Sequence, residues 1–153
     1  MAAFNRVAIG LAGAAFALAS ISSAIAQEVR LVLKGYDPVA YFTEGRALAG
    51  DPKYTVDWDE GRYQFSSAKH RDMFAANPDK YAPQFGGYCT GSMARGVRNE
   101  GHPEAWIISN EKLYVFGAPN AQEALEQRQK ALADPAFMSQ RIPKAQQNWR
   151  GKT

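Results

Sequence analysis

The chain carries one cysteine, Cys89, among its 153 residues. It therefore cannot close an internal disulfide, and it cannot build the four-cysteine zinc cage that staples many small domains. What holds the fold must be the burial of apolar side chains, which make up 46% of the sequence. The N-terminus sharpens the constraint. Arg6, the apolar run Val7 to Ala19 and the small-x-small triplet Ala24-Ile25-Ala26 read as a secretory signal. Cleavage after Ala26 is expected to leave 153 − 26 = 127 residues, one domain with a real core. The expected destination is the periplasm or the exterior, where a lone thiol needs a metal, a partner, burial or chemistry to explain it.

Composition removes several function classes. The formal charge is +3, or +3 − 1 = +2 once Arg6 is gone, and the basic residues are interleaved with acids. That is a solvated surface rather than a nucleic-acid footprint. No second long apolar run follows the signal, so no membrane span is expected after cleavage. No phosphate-cradling glycine loop, nucleophile-elbow serine, His-Glu-x-x-His, Cys-x-x-Cys or haem-attachment motif is present.

Along residues 27–153 the periodicity predicts an α+β domain, with no internal repeat apparent in the sequence. Val29, Leu31 and Leu33 alternate with polar residues and predict a strand over Glu28 to Lys34. Tyr54, Val56 and Trp58, then Tyr63 and Phe65 after Asp59-Glu60-Gly61, predict a hairpin. Ser66-Ser67 offers a cap for a helix that ends near Ala76, before Asn77-Pro78. A second hairpin is predicted from Trp106–Ile108 and Leu113–Phe116 around Asn110-Glu111. Asn120 and Glu123 resemble a capping box for a helix to about Leu132. Asp134-Pro135 starts another, which Pro143 is expected to divide.

Three stretches share a distinctive order. They are Gly35-Tyr36-Asp37-Pro38-Val39-Ala40-Tyr41-Phe42; Tyr63 to Ser67 running on through His70-Arg71 and Phe74 to Tyr81; and Phe85-Gly86-Gly87-Tyr88-Cys89. Together they resemble the YHS domain family, in particular its stand-alone secreted bacterial members. Pro103-Glu104-Ala105-Trp106, Lys112-Leu113-Tyr114 and Asn148-Trp149 are similar to that subfamily's extension. The resemblance implies a treble-clef-like core, a hairpin followed by a helix over Tyr54 to Ala76, with C-terminal helices. It also implies kinship with metal-binding modules that use several cysteines, which this chain lacks.

The candidate site residues follow. Cys89 is either a thiolate ligand or reactive thiol, in the first turn of a short helix over Thr90 to Arg95, or a small buried hydrophobe. His70 is a metal ligand or base facing Cys89, or a core histidine. His102, in the loop Asn99 to Glu104, is a second ligand or simply exposed. Cys89 with His70 or His102 would suit copper or zinc, and a second subunit or small molecule would complete so sparse a site. Met73, Met93 and Met138 are soft donors or gap fillers. Tyr36, Asp37, Tyr41 and Tyr88 are the candidate ligand-binding residues, with Asp37 alternatively a turn-former. A Cys–His catalytic dyad finds no third, orienting residue. Three functions compete: a binding module for a metal or small ligand, an interaction protein with a structural Cys89, and a thiol enzyme.

Overall fold

Two hairpins set the frame. In the computed structural model, which describes residues 28–151, strand β1 (Asp51–Trp58) pairs antiparallel with β2 (Gly61–Phe65), and β3 (His102–Ser109) pairs antiparallel with β4 (Lys112–Phe116). The predicted signal lies outside the described residues. Both connections are two-residue turns, Asp59-Glu60 and Asn110-Glu111. Asp59 and Asn110 take φ of 52° and 49°, the left-handed geometry that short-tailed polar residues tolerate and tight hairpins require. Among the described residues six α-helices complete an α+β architecture: α1 (Ala40–Thr43), α2 (Ala68–Ala76), α3 (Pro78–Tyr81), α4 (Thr90–Met93), α5 (Ala121–Ala133) and α6 (Pro135–Arg150).

The elements come in one order, twice. A 3-10 turn, a short helix, a hairpin, a capped helix and a further helix run from Val32 to Tyr81 and again from Gln84 to Arg150. The correspondence extends to single bonds. Leu33-Lys34 and Phe85-Gly86 form left-handed pairs, followed by Gly35 at φ 82° and Gly87 at φ 81°. Tyr36 then bridges Ala49, as Tyr88 bridges Glu100. The Gly50 amide donates to the Gly35 carbonyl at 2.8 Å, and the Gly101 amide to the Gly87 carbonyl at 3.1 Å. A Cβ on Gly50 would stand 2.7 Å from the first of those oxygens, and one on Gly101 2.8 Å from the second. Only glycine admits this approach. Each hairpin even breaks register in its first strand, between Asp51 and Thr55 and between His102 and Trp106.

The structure therefore corrects the reading of no internal repeat. Tight turns and inward alternation demand residue types at few places, so only scattered identities mark the duplication, among them Gly35/Gly87, Tyr36/Tyr88, Gly50/Gly101, Pro52/Pro103, Glu60/Glu111, Tyr63/Tyr114 and Phe65/Phe116.

Each half packs its own core, and β4 is the wall between them. Leu113 and Val115 join Leu33, Tyr41, Phe65 and Phe74 in the first core, while Tyr114 and Phe116 join Phe85, Met93, Phe137 and Met138 in the second. Successive strand residues point to opposite faces, so a strand walled on both sides is buried throughout, as Leu113–Phe116 are.

Caps behave as the sequence predicts. Ser67 accepts the His70 amide, Asn120 the Glu123 amide and Asp134 the Ala136 amide. Four expectations change. Glu28 to Lys34 is not a strand. Leu31 makes one parallel bridge to Arg62, the chain then tightens into the 3-10 turn, and adjacent Val32 and Leu33 are both buried. Asn77-Pro78 ends α2 but also opens α3, with Asn77 accepting the Lys80 amide. Pro143 does not divide α6. It is exposed, as is Ser139, whose carbonyl loses its helical donor, so solvent is available to that oxygen. Cys89 is the N-cap of α4 rather than part of its first turn.

Candidate functional site

The polar centre of the first half is a corner where α1, β2 and α2 meet. Asp37 follows the left-handed turn and is fully buried. Its Oδ1 accepts the amides of Val39 (2.9 Å) and Ala40 (3.3 Å). Its Oδ2 accepts the Ser66 amide (2.9 Å) and the Ser66 hydroxyl (2.7 Å). The His70 imidazole completes the set, with Nδ1 at 2.6 Å from the same oxygen. A carboxylate is an acceptor only, so Nδ1 donates and Nε2 is left to accept or to bind. Ser67 fixes the first turn of α2 and thereby the ring that projects from it. His70 Nε2 lies 3.9 Å from Glu44 Oε1, at the C-terminal end of α1. The His70 side chain is 10% exposed and that of Glu44 34%, so this is the corner's outlet to solvent.

The duplication places Cys89 at the position of Asp37 and Gly117 at that of Ser66. The Asp37 amide donates to the Leu48 carbonyl at 2.8 Å, as the Cys89 amide does to the Asn99 carbonyl at 2.8 Å. There the polar centre is gone. The Cys89 thiol lies 3.6 Å from the Gly117 carbonyl and is buried. A side chain at residue 117 would collide with the Glu100 carbonyl, so this corner closes on glycine. One frame thus holds a polar, many-bonded corner in one half and a small, buried one in the other.

The remaining predicted residues disperse. Tyr41 is buried between the halves, its hydroxyl donating to the Pro103 carbonyl at 2.8 Å and its ring edge-on to Trp106 at 5.0 Å. Burial holds that hydroxyl protonated well above the usual phenol range, with Tyr36, Asp37 and Glu104 adding to the effect. Tyr36 packs against the first core. The Tyr88 ring carries Arg30 at 4.3 Å and Arg98 at 5.5 Å, beside Trp149. His102 opens β3, its Nδ1 accepting the Glu104 amide at 3.3 Å. Met93 and Met138 fill the second core and Met73 packs on the first.

Among the described residues no three His, Cys, Asp or Glu side chains gather into a metal-holding set. Asp37 with His70 is the pairing that sequence reasoning missed. Both residues were candidates, but 33 positions separate them and neither carries a local mark of the other. Glu44 carries no local mark of a site either, and Ser66 reads in the sequence only as part of a helix cap, not as a partner of Asp37.

No family model, curated protein or solved structure matches the chain. No described helix is long and apolar enough to cross a membrane.

Proposed function

We propose that this chain is a YHS-like binding module of the periplasm or exterior, whose ligand is engaged at the Asp37–His70 corner. Each half, with its turn, hairpin and capped helix, is consistent with a treble-clef-like unit. The observation that carries the reading is the 2.6 Å contact between Asp37 and His70 Nδ1. A carboxylate that ties one imidazole nitrogen fixes the ring and its tautomer and leaves the other nitrogen to bind, which is how metal-binding histidines are oriented. Glu44 is the second donor beside Nε2. Imidazole with carboxylate suits a borderline ion such as zinc or copper(II). Two protein donors leave the shell open for water, a small ligand or a second copy. Cys89, buried and facing a carbonyl, is assigned to structure and not to the donor set, and no redox or thiol chemistry is routed through it.

Calorimetric titration of the mature protein with zinc and copper(II) tests this. Saturable binding that His70→Gln abolishes, Glu44→Gln weakens and Cys89→Ser leaves intact is the expected result. Binding lost with Cys89→Ser and kept with His70→Gln would transfer the site to the thiol. No binding by the wild type would make the corner purely architectural and favour the interaction-protein reading.

A further inference from the structure

A groove on another part of the surface has the composition of a sugar site. It lies where the tip of the first hairpin, the second 3-10 turn and the end of α6 meet, and encloses about 350 Å³. Trp58 from β1 and Trp149 from α6 line it, and both are half-buried. Asp59, Asp79, Lys112 and Arg150 also line it, two acids against two bases, so the lining is formally neutral. Gln84 and Gln146 add amides that donate and accept. Asp79 and Lys112 also line a second hollow of about 660 Å³, whose walls include Asn77, Phe42 and Ile108.

We infer that this groove binds a neutral, linear oligosaccharide. A pyranose has one face of C–H groups and a rim of hydroxyls. Indole offers a flat apolar surface to the first, and acids, amides and a lysine offer hydrogen bonds to the second. A charge-balanced lining gives no net attraction to an anionic or cationic ligand. The polar groups are too many for a purely apolar one, which would leave them unpaired. Two neighbouring hollows that share Asp79 and Lys112 give room for a chain of sugar units rather than a single ring. The groove shares no residue with the Asp37–His70 corner, so it stands or falls apart from the metal reading.

Trp58 and Trp149 are two of the three tryptophans, and the third, Trp106, packs on Tyr41 away from the groove. Intrinsic fluorescence therefore reports occupancy. The probes are the β-1,4-linked trimers of glucose and of N-acetylglucosamine, titrated into the mature protein. Saturable change with at least one trimer is expected, retained in Trp106→Phe. Gln146→Ala, a substitution that leaves the apolar cores intact, is expected to weaken binding about fivefold or more, and Trp149→Phe about threefold or more. No saturable change with either trimer overturns the inference. So does undiminished affinity in both groove variants, or saturation by a blocked neutral tripeptide and by neither sugar, which would make the groove a peptide site.

Discussion

Replacing Asp37 by asparagine tests the corner that organises the first half. The substitution preserves shape but removes the charge and turns one acceptor oxygen into an NH2 group. Five donors surround the carboxylate, three of them on Oδ2 alone. Either amide orientation then sets a donor against a donor. An NH2 at the Oδ1 position faces Val39 and Ala40, and one at Oδ2 faces Ser66 and His70. Hydrogen bonds to a charged group contribute roughly 1.5–3 kcal/mol, and a buried donor left unpaired costs about 1–3 kcal/mol. Two donors lose their partner in the milder orientation. The expected destabilisation is therefore about 3–5 kcal/mol, the range found when one member of a buried ionic pair is removed. Urea unfolding followed by tryptophan fluorescence measures it, with Cys89→Ala as the control at the equivalent position. That control deletes one buried sulfur with a single weak contact and should cost on the order of 1 kcal/mol. A loss below about 1 kcal/mol for Asp37→Asn, or equal losses for the two variants, would refute the assignment of a polar hub to one half only.

Other outcomes follow from the same geometry. Gly50→Ala and Gly101→Ala should each destabilise by about 1–3 kcal/mol or more, in similar measure, because each Cβ meets the matching carbonyl; a marked inequality in urea midpoints would argue against equivalent halves. Burial raises the hydroxyl pKa of both Tyr41 and Tyr63. An acid whose folded pKa is raised keeps its proton when folded and loses it first when unfolded. Stability should thus be unaffected by these groups below about pH 10 and fall above it. Tyr63→Phe should flatten that fall in an alkaline series of melting temperatures, and an unchanged slope would contradict it. Asn120→Ala removes the cap of α5 and should cost about 1 kcal/mol, read in the same urea assay.

What the sequence made legible was whatever depends on neighbours along the chain. Both hairpins, the caps at Ser67, Asn120 and Asp134, and the helices after them follow from alternation and from side chains reaching amides two or three residues on. The duplication escaped because a left-handed turn ending in glycine and a tyrosine bridge leave few obligatory residues, while Asp37 and Cys89 fill one position with unlike chemistry. The strand expected at Glu28 to Lys34 failed for a related reason. Alternation over Val29, Leu31 and Leu33 looks like a sheet face, yet the first two are exposed and Val32, out of phase, is buried. Proximity across 33 residues is a property of packing, so Asp37 and His70 were each visible and their contact was not.

The central claim is that Asp37 holds His70 with Nδ1 protonated and Nε2 free to bind. Nitrogen-15 spectra of the imidazoles test it directly, and only two histidines need assignment. The account predicts that His70 shows the Nδ1–H form and that zinc shifts its Nε2 resonance saturably, an effect lost in Asp37→Asn. A His70 ring protonated at Nε2, or a zinc shift confined to His102, would contradict it.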